Sequence, residues 1–281
     1  MAQPSFISFC YYLLASLTGV AVVALALETD ATYANLYAHF SPEMRTGAAI
    51  DALLEKLSLG LYAGAETERQ NIAASSARVL WLRTWGNYLS LAYLVLSVAF
   101  LALLNLRAQP RERLTQHLFL IAAMCLFVGL AAPMLSIVAQ RDVAVLGQVI
   151  LRFESKAILQ TVATLANREQ WLIAGALALF SVVLPCLKLC LGLITVIADS
   201  RLQKRSVHAL HAISRWSMTD VFVVAVLLAF MAGEAGDSTN AWVGHGLWFF
   251  ASYAMLSWWA THRLSRRDEL GSEPGSDNLR N

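Results

Sequence analysis

The chain has 281 residues, of which 58% are hydrophobic and only 14% charged, with a formal net charge of +2 and a mean hydropathy of +0.56. A soluble globular chain carries roughly 25% charged residues. Too little polar surface is left to clothe a soluble domain of this size, and what remains is an all-α polytopic membrane protein.

Six apolar runs approach the roughly 20 residues that cross about 30 Å of hydrocarbon. They are 6–27, 88–106, 118–139, 171–198, 217–233 and 242–261. Unpaired backbone groups cannot face lipid, so each run is expected to be a transmembrane helix. Ala24-Leu25-Ala26 ends the first run as a signal-peptidase site would. Against cleavage stand the missing basic segment before the run and an apolar stretch longer than about 15 residues.

After the first run comes a loop of about sixty residues, 28–87. Within it Ser41-Pro42-Glu43 reads as a helix start, and 48–59 and 72–82 read as short surface helices. Lys and Arg mark cytoplasmic loops. The connection 107–117 carries Arg107, Arg111 and Arg113 against Glu112, and 199–216 carries Arg201, Lys204, Arg205 and Arg215 against Asp199. Arg263, Arg266 and Arg267 follow the last run, whereas the loop before it carries only Glu234 and Asp237. This alternation predicts six spans with both termini inside. Loops 28–87 and 140–170 are then outside, and Trp242, Trp248, Trp258 and Trp259 stand near the two interfaces.

The chain divides into 1–113, two spans with the long outer loop, then a four-span group over 114–263, then a disordered cytoplasmic tail over 264–281. The four cysteines all fall in apolar runs, so no disulfide framework is implied. Cys186 and Cys190 share a helical face, read as core packing and not as a metal site. The histidines sit near span ends, which speaks against haem, and no cofactor or metal is expected. HExxH, GxSxG and any histidine–acid constellation are missing, so no enzymatic activity is expected.

Ionisable residues within spans cost a few kcal/mol unless paired or hydrated. Lys188 in the fourth run and Asp220 in the fifth fall at comparable depth in the cytoplasmic half. Antiparallel neighbours joined by a basic loop would bring them together; alternatively Lys188 snorkels and Asp220 caps its helix. Pro185 has no amide hydrogen, so the Ser181 carbonyl loses its helical partner one turn before Lys188. Pro133 similarly frees Gly129 in the third run, and both prolines admit a second reading as packing kinks. The segment 201–216, with Leu202, Val207, Leu210, Ile213 and Trp216 among its cations, is expected on the inner leaflet and not on nucleic acid.

LFSVVLPCLKL at 179–189, followed by a basic loop and RWSMTDVF at 215–222, resembles the signature of the paraquat-inducible protein A family. APMLSI at 132–137 and SKAILQTVATL at 155–165 support it, so the resemblance covers about 114–263. It implies a four-helix bacterial inner-membrane domain that works with periplasmic MCE-type partners in moving phospholipid between membranes, without hydrolytic chemistry. Members of the better-known type carry zinc-ribbon-like segments and often two copies of the domain; this chain has one copy and no cysteine clusters. A lipid headgroup would then meet Lys188, with Asp220 holding the lysine and exchanging a proton, and Ser181 and Ser217 supplying hydrogen bonds. A secondary transporter or channel for another solute, and a scaffold for a periplasmic partner, remain the alternatives.

Overall fold

The computed structural model describes residues 6–38, 64–107, 110–143, 147–197 and 239–271. Helix α1 is Phe6–Ala38, α2 is Gly64–Leu106 and α3 is Arg111–Ala131. Strands β1, Leu135–Val143, and β2, Gly147–Lys156, come next, followed by the short helix α4, Ile158–Asn167. Helix α5, Trp171–Ala178, passes through a π turn at Leu179–Val183 into α6, Leu184–Ile197. Strand β3, Thr239–Val243, leads into α7, His245–Gly271.

Among the described residues four stretches are long and apolar enough to cross a membrane: Phe6–Tyr37, Ala73–Leu106, Glu112–Ala131 and Trp171–Ile197. Large apolar side chains on them face outward, among them Phe9, Leu13, Leu17, Val95, Val98 and Phe127. Such surfaces are stable against lipid and not against water. The fifth run lies outside the described residues. The sixth forms most of α7, whose aromatic and serine content leaves it less apolar than the other four.

The chain is mostly helical but not all-α, because an antiparallel sheet of order β2-β1-β3 crowns one end of the bundle. Hydropathy carried the third run through Ala139, yet α3 stops at Ala131. Pro133 is the reason: the residue before a proline is pushed out of the α region, and Ala132 is extended at φ −80°, ψ 149°. Pro133 therefore ends the helix and does not kink it, and the Gly129 carbonyl is one of those that any helix end leaves without an intrahelical donor. The loop 28–87 is also shorter than expected, since α1 continues eleven residues past Leu27 without a break at Ala24–Ala26 and α2 begins at Gly64. Residues 72–82 belong to this one long helix, not to a separate surface helix. At the C-terminus, α7 runs on through Gly271, where a disordered tail from 264 was expected.

Helices α3 and α7 pack antiparallel and continue directly into the paired strands β1 and β3, with Leu135 opposite Val243 and Ala139 opposite Thr239. At the junction Gly244 N–H donates to the Met134 carbonyl and Gly246 N–H to the Pro133 carbonyl, both at 2.9 Å. A Cβ on either glycine would stand 2.3 Å from a backbone oxygen, Pro133 O for Gly244 and Ala132 O for Gly246. One turn into the bundle, a Cβ on Gly129 would meet the Phe250 amide nitrogen at 2.8 Å. Small residues let membrane helices approach this closely.

Helices α1 and α2 form an antiparallel pair against α3. Tyr11, Val22, Tyr93, Phe100, Leu118, Cys125 and Phe249 belong to one buried cluster that joins all four helices. On the sheet side, Tyr33 and Tyr37 of α1 gather around Phe153 of β2, with Tyr37 and Phe153 centroids 5.1 Å apart. Arg78 of α2 pairs with Glu28 of α1 at 2.5 Å.

Candidate functional site

The fourth apolar run folds with two unlike faces. Ser181, Pro185, Lys188, Gly192 and Thr195 are buried, recurring every three or four residues along one side. Leu179, Val183, Leu187, Ile194 and Ile197 are exposed on the other. That spacing is one helical stripe. In water the apolar face would turn inward; here the small and polar face does, as a membrane bundle requires.

Pro185 shapes the stripe. The break expected from its missing amide is taken up as a π turn over Leu179–Val183, in which the Leu184 N–H donates to the Leu179 carbonyl five residues back. A widened turn inside an α-helix frequently marks a functional site. Ser181 lies within that turn at 3% exposure, and Lys188 follows one turn after the proline at 6%. An ammonium so deeply enclosed does not snorkel to the headgroups. The stripe is tightly seated beyond Lys188, since a Cβ on Gly192 would lie 2.4 Å from two ring atoms of Phe119. Thr195 donates its hydroxyl to the Leu191 carbonyl at 2.7 Å.

Asp220 and Ser217, and with them the pairing to Lys188, lie outside the described residues, as do Arg201, Lys204, Arg205 and Arg215. The sequence alone did not single out Gly192 and Thr195, although their places four and seven residues beyond Lys188 put them on its helical face. Cys186 and Cys190 are exposed and not packed in the core; only Cys125 is buried. Among the described residues no group of His, Cys, Asp and Glu is placed to hold a metal ion.

A second polar cluster, also missed, joins α1, α2 and α3 at the end of the bundle away from the sheet. Tyr11 donates to Ser97 Oγ at 2.9 Å, and Ser97 donates to the Tyr93 carbonyl at 2.8 Å. Tyr12 Oη and His117 Nδ1 share a hydrogen bond of 2.6 Å, while Tyr11 stacks on Phe100 at 3.9 Å. Tyr11, Ser97 and Tyr93 are buried, where a lost partner is not replaced by water. Ser97→Ala is expected to lower stability by about 1–3 kcal/mol by stranding the Tyr11 hydroxyl. Adding Tyr11→Phe should restore part of the loss, as read from thermal unfolding in detergent.

A third cluster stands on the sheet side. Ser136 of β1 donates to Ser155 of β2 at 3.1 Å, and Ser155 donates to the Asp30 carboxylate of α1. This relay ties α1 to the middle of the sheet.

Residues 147–269 match the family model of paraquat-inducible protein A. The match bears out the resemblance carried by LFSVVLPCLKL, RWSMTDVF and SKAILQTVATL; APMLSI at 132–137 lies before it. No curated protein and no solved structure matches the chain. The apolar helices and the family match together make this a multi-pass membrane protein.

Proposed function

We propose that this chain, which matches the paraquat-inducible protein A family model over residues 147–269, is an inner-membrane component of phospholipid transport between bacterial membranes. The observation that carries the proposal is the buried polar stripe of Ser181, Lys188, Gly192 and Thr195 on a helix whose other face meets lipid. An enclosed ammonium at membrane depth is costly unless it answers a negative charge. Lys188 attracts the lipid phosphate, Asp220 holds the lysine and exchanges a proton, and Ser181 and Ser217 supply hydrogen bonds. The basic segment with Arg201, Lys204, Arg205 and Arg215 rests on the inner leaflet. The chain lipid cargo passes to or from a periplasmic MCE-type protein, and no covalent chemistry is required.

Six spans with both termini inside fit this reading. Helix α6 ends at Ile197 on the side away from the sheet, and β3 begins on the sheet side. Phe6 and Gly271 then share the side opposite the sheet. Arg107 and Arg113 fall on that side and the sheet on the other, in keeping with the cation rule.

Lys188→Met is the decisive variant, because it keeps length and volume while removing the charge. Inserted and folded protein that has lost movement of labelled phospholipid supports the proposal; unchanged movement overturns it. Removing the charge from a purely structural pair would instead strand its partner, lowering stability by about 3–5 kcal/mol. Co-purification of a periplasmic MCE-domain protein tests the partner.

A further inference from the structure

We propose that the cavity between α1, β2 and α4 is a binding site for a phospholipid headgroup that carries both a phosphate and a primary ammonium. The cavity holds about 520 Å³ and is lined by Asp30, Lys156, Gln160 and Arg168, with Leu27 and Leu165 among its apolar walls. It is distinct from the stripe around Lys188, and its occupancy does not depend on that lysine having any role in transport.

Position argues for a lipid. Leu27 ends the first apolar run, and Trp171, largely exposed, opens the next membrane-crossing helix three residues after Arg168. Apolar run ends and interfacial tryptophans mark the headgroup level of a bilayer. Helix α4 is strongly two-faced, with Ile158 buried and Gln160 and Arg168 on the cavity, as a helix lying along that level should be.

Charge argues for the headgroup type. Arg168 sits at the C-terminal cap of α4 and presents a planar guanidinium suited to phosphate oxygens. Asp30 is held by Ser155, just before the start of α4, and offers a carboxylate to an ammonium N–H. Two cations, Lys156 and Arg168, and one anion, Asp30, line the cavity, and the carboxylate is what favours a headgroup that carries an ammonium beside its phosphate.

The test uses the full-length protein, stripped in detergent and re-equilibrated with equal amounts of phosphatidylethanolamine and phosphatidylglycerol. Retained lipid is counted by mass spectrometry. The wild type is expected to retain the ethanolamine lipid at least about fivefold over the glycerol lipid. Asp30→Asn, which keeps a hydrogen-bond acceptor for Ser155, should abolish or invert that ratio. Arg168→Gln, at an exposed helix end where folding is not at stake, should cut retention of both lipids about tenfold. Gly175→Ala, at an exposed position of α5 with nothing within 4 Å of the added carbon, should keep both the ratio and the amount retained. Equal retention by the wild type, or an unchanged ratio in Asp30→Asn, overturns the proposal. Displacement of lipid by soluble phosphoethanolamine at equal concentration would also overturn it, since the occupant would then be a free headgroup and not a lipid.

Discussion

Gly246→Ala is expected to abolish the folded protein in the membrane, or to lower its stability by on the order of 4 kcal/mol, a large share of the 5–15 kcal/mol that holds a typical protein together. The new methyl carbon would stand 2.3 Å from the Ala132 carbonyl oxygen and 2.9 Å from that of Pro133. Neither atom is the far end of a side chain that can rotate away. Relief requires α3 and α7 to separate at the point where both turn into strands, which breaks the Gly246 to Pro133 hydrogen bond and shifts the β1–β3 ladder behind it. Gly175→Ala is the matched control, because nothing lies within 4 Å of a Cβ there. That substitution should be neutral or stabilising by up to about 1 kcal/mol, as alanine is the better helix former. Equal yields of folded protein for the two variants, by gel filtration in detergent, would show that the junction is less close-packed than described.

Gly192→Ala is expected to cost about 2–3 kcal/mol through overpacking. Its Cβ would meet Phe119 Cε1 and Cζ at 2.4 Å, and that ring is fully buried. Phe119→Leu should then partly rescue Gly192→Ala while being destabilising alone, a coupling that a double-mutant cycle isolates. Lipid movement adds a second readout. Gly192 is one turn from Lys188 on the same face, so displacement of α6 from α3 should lower transport even in the rescued protein.

Hydropathy located the centres of the membrane helices well, because about 20 apolar residues in succession have few other uses. It misjudged their ends. Thr29, Asp30 and Thr32 continue α1, and Ser75, Ser76 and Arg78 lie within α2, although none of them adds hydropathy. Helix continuation beyond the hydrocarbon depends on packing against the partner helix and the sheet, which a window average does not see. Strand β1 was hidden for the opposite reason: Leu135 to Ala139 is apolar enough to extend a helical run, and only Pro133 announced the change.

The candidate site was half legible. Lys188, Ser181 and Pro185 stood out as exceptions within an apolar run, and the structure buries all three on one face. Gly192 and Thr195 are ordinary in composition and acquire meaning only from their spacing. Tyr11, Tyr12, Ser97 and His117 were beyond reach, since each comes from an otherwise unremarkable stretch and they meet across 86 and 105 residues of sequence.

The passage of α3 and α7 straight into paired strands has a mechanical consequence. Two helices in lipid can slide past one another in small steps, but strands cannot, because a one-residue slip turns every side chain to the other face and a two-residue slip breaks the whole ladder. The sheet therefore acts as a detent that locks α3 and α7 into a single stator. Among the described residues the rod formed by α5 and α6 carries no such lock: it follows α4 and contains a π turn at its middle. On the proposed transport reading, any stroke that accompanies the passage of cargo falls to that rod, moving against a frame that the strands hold still.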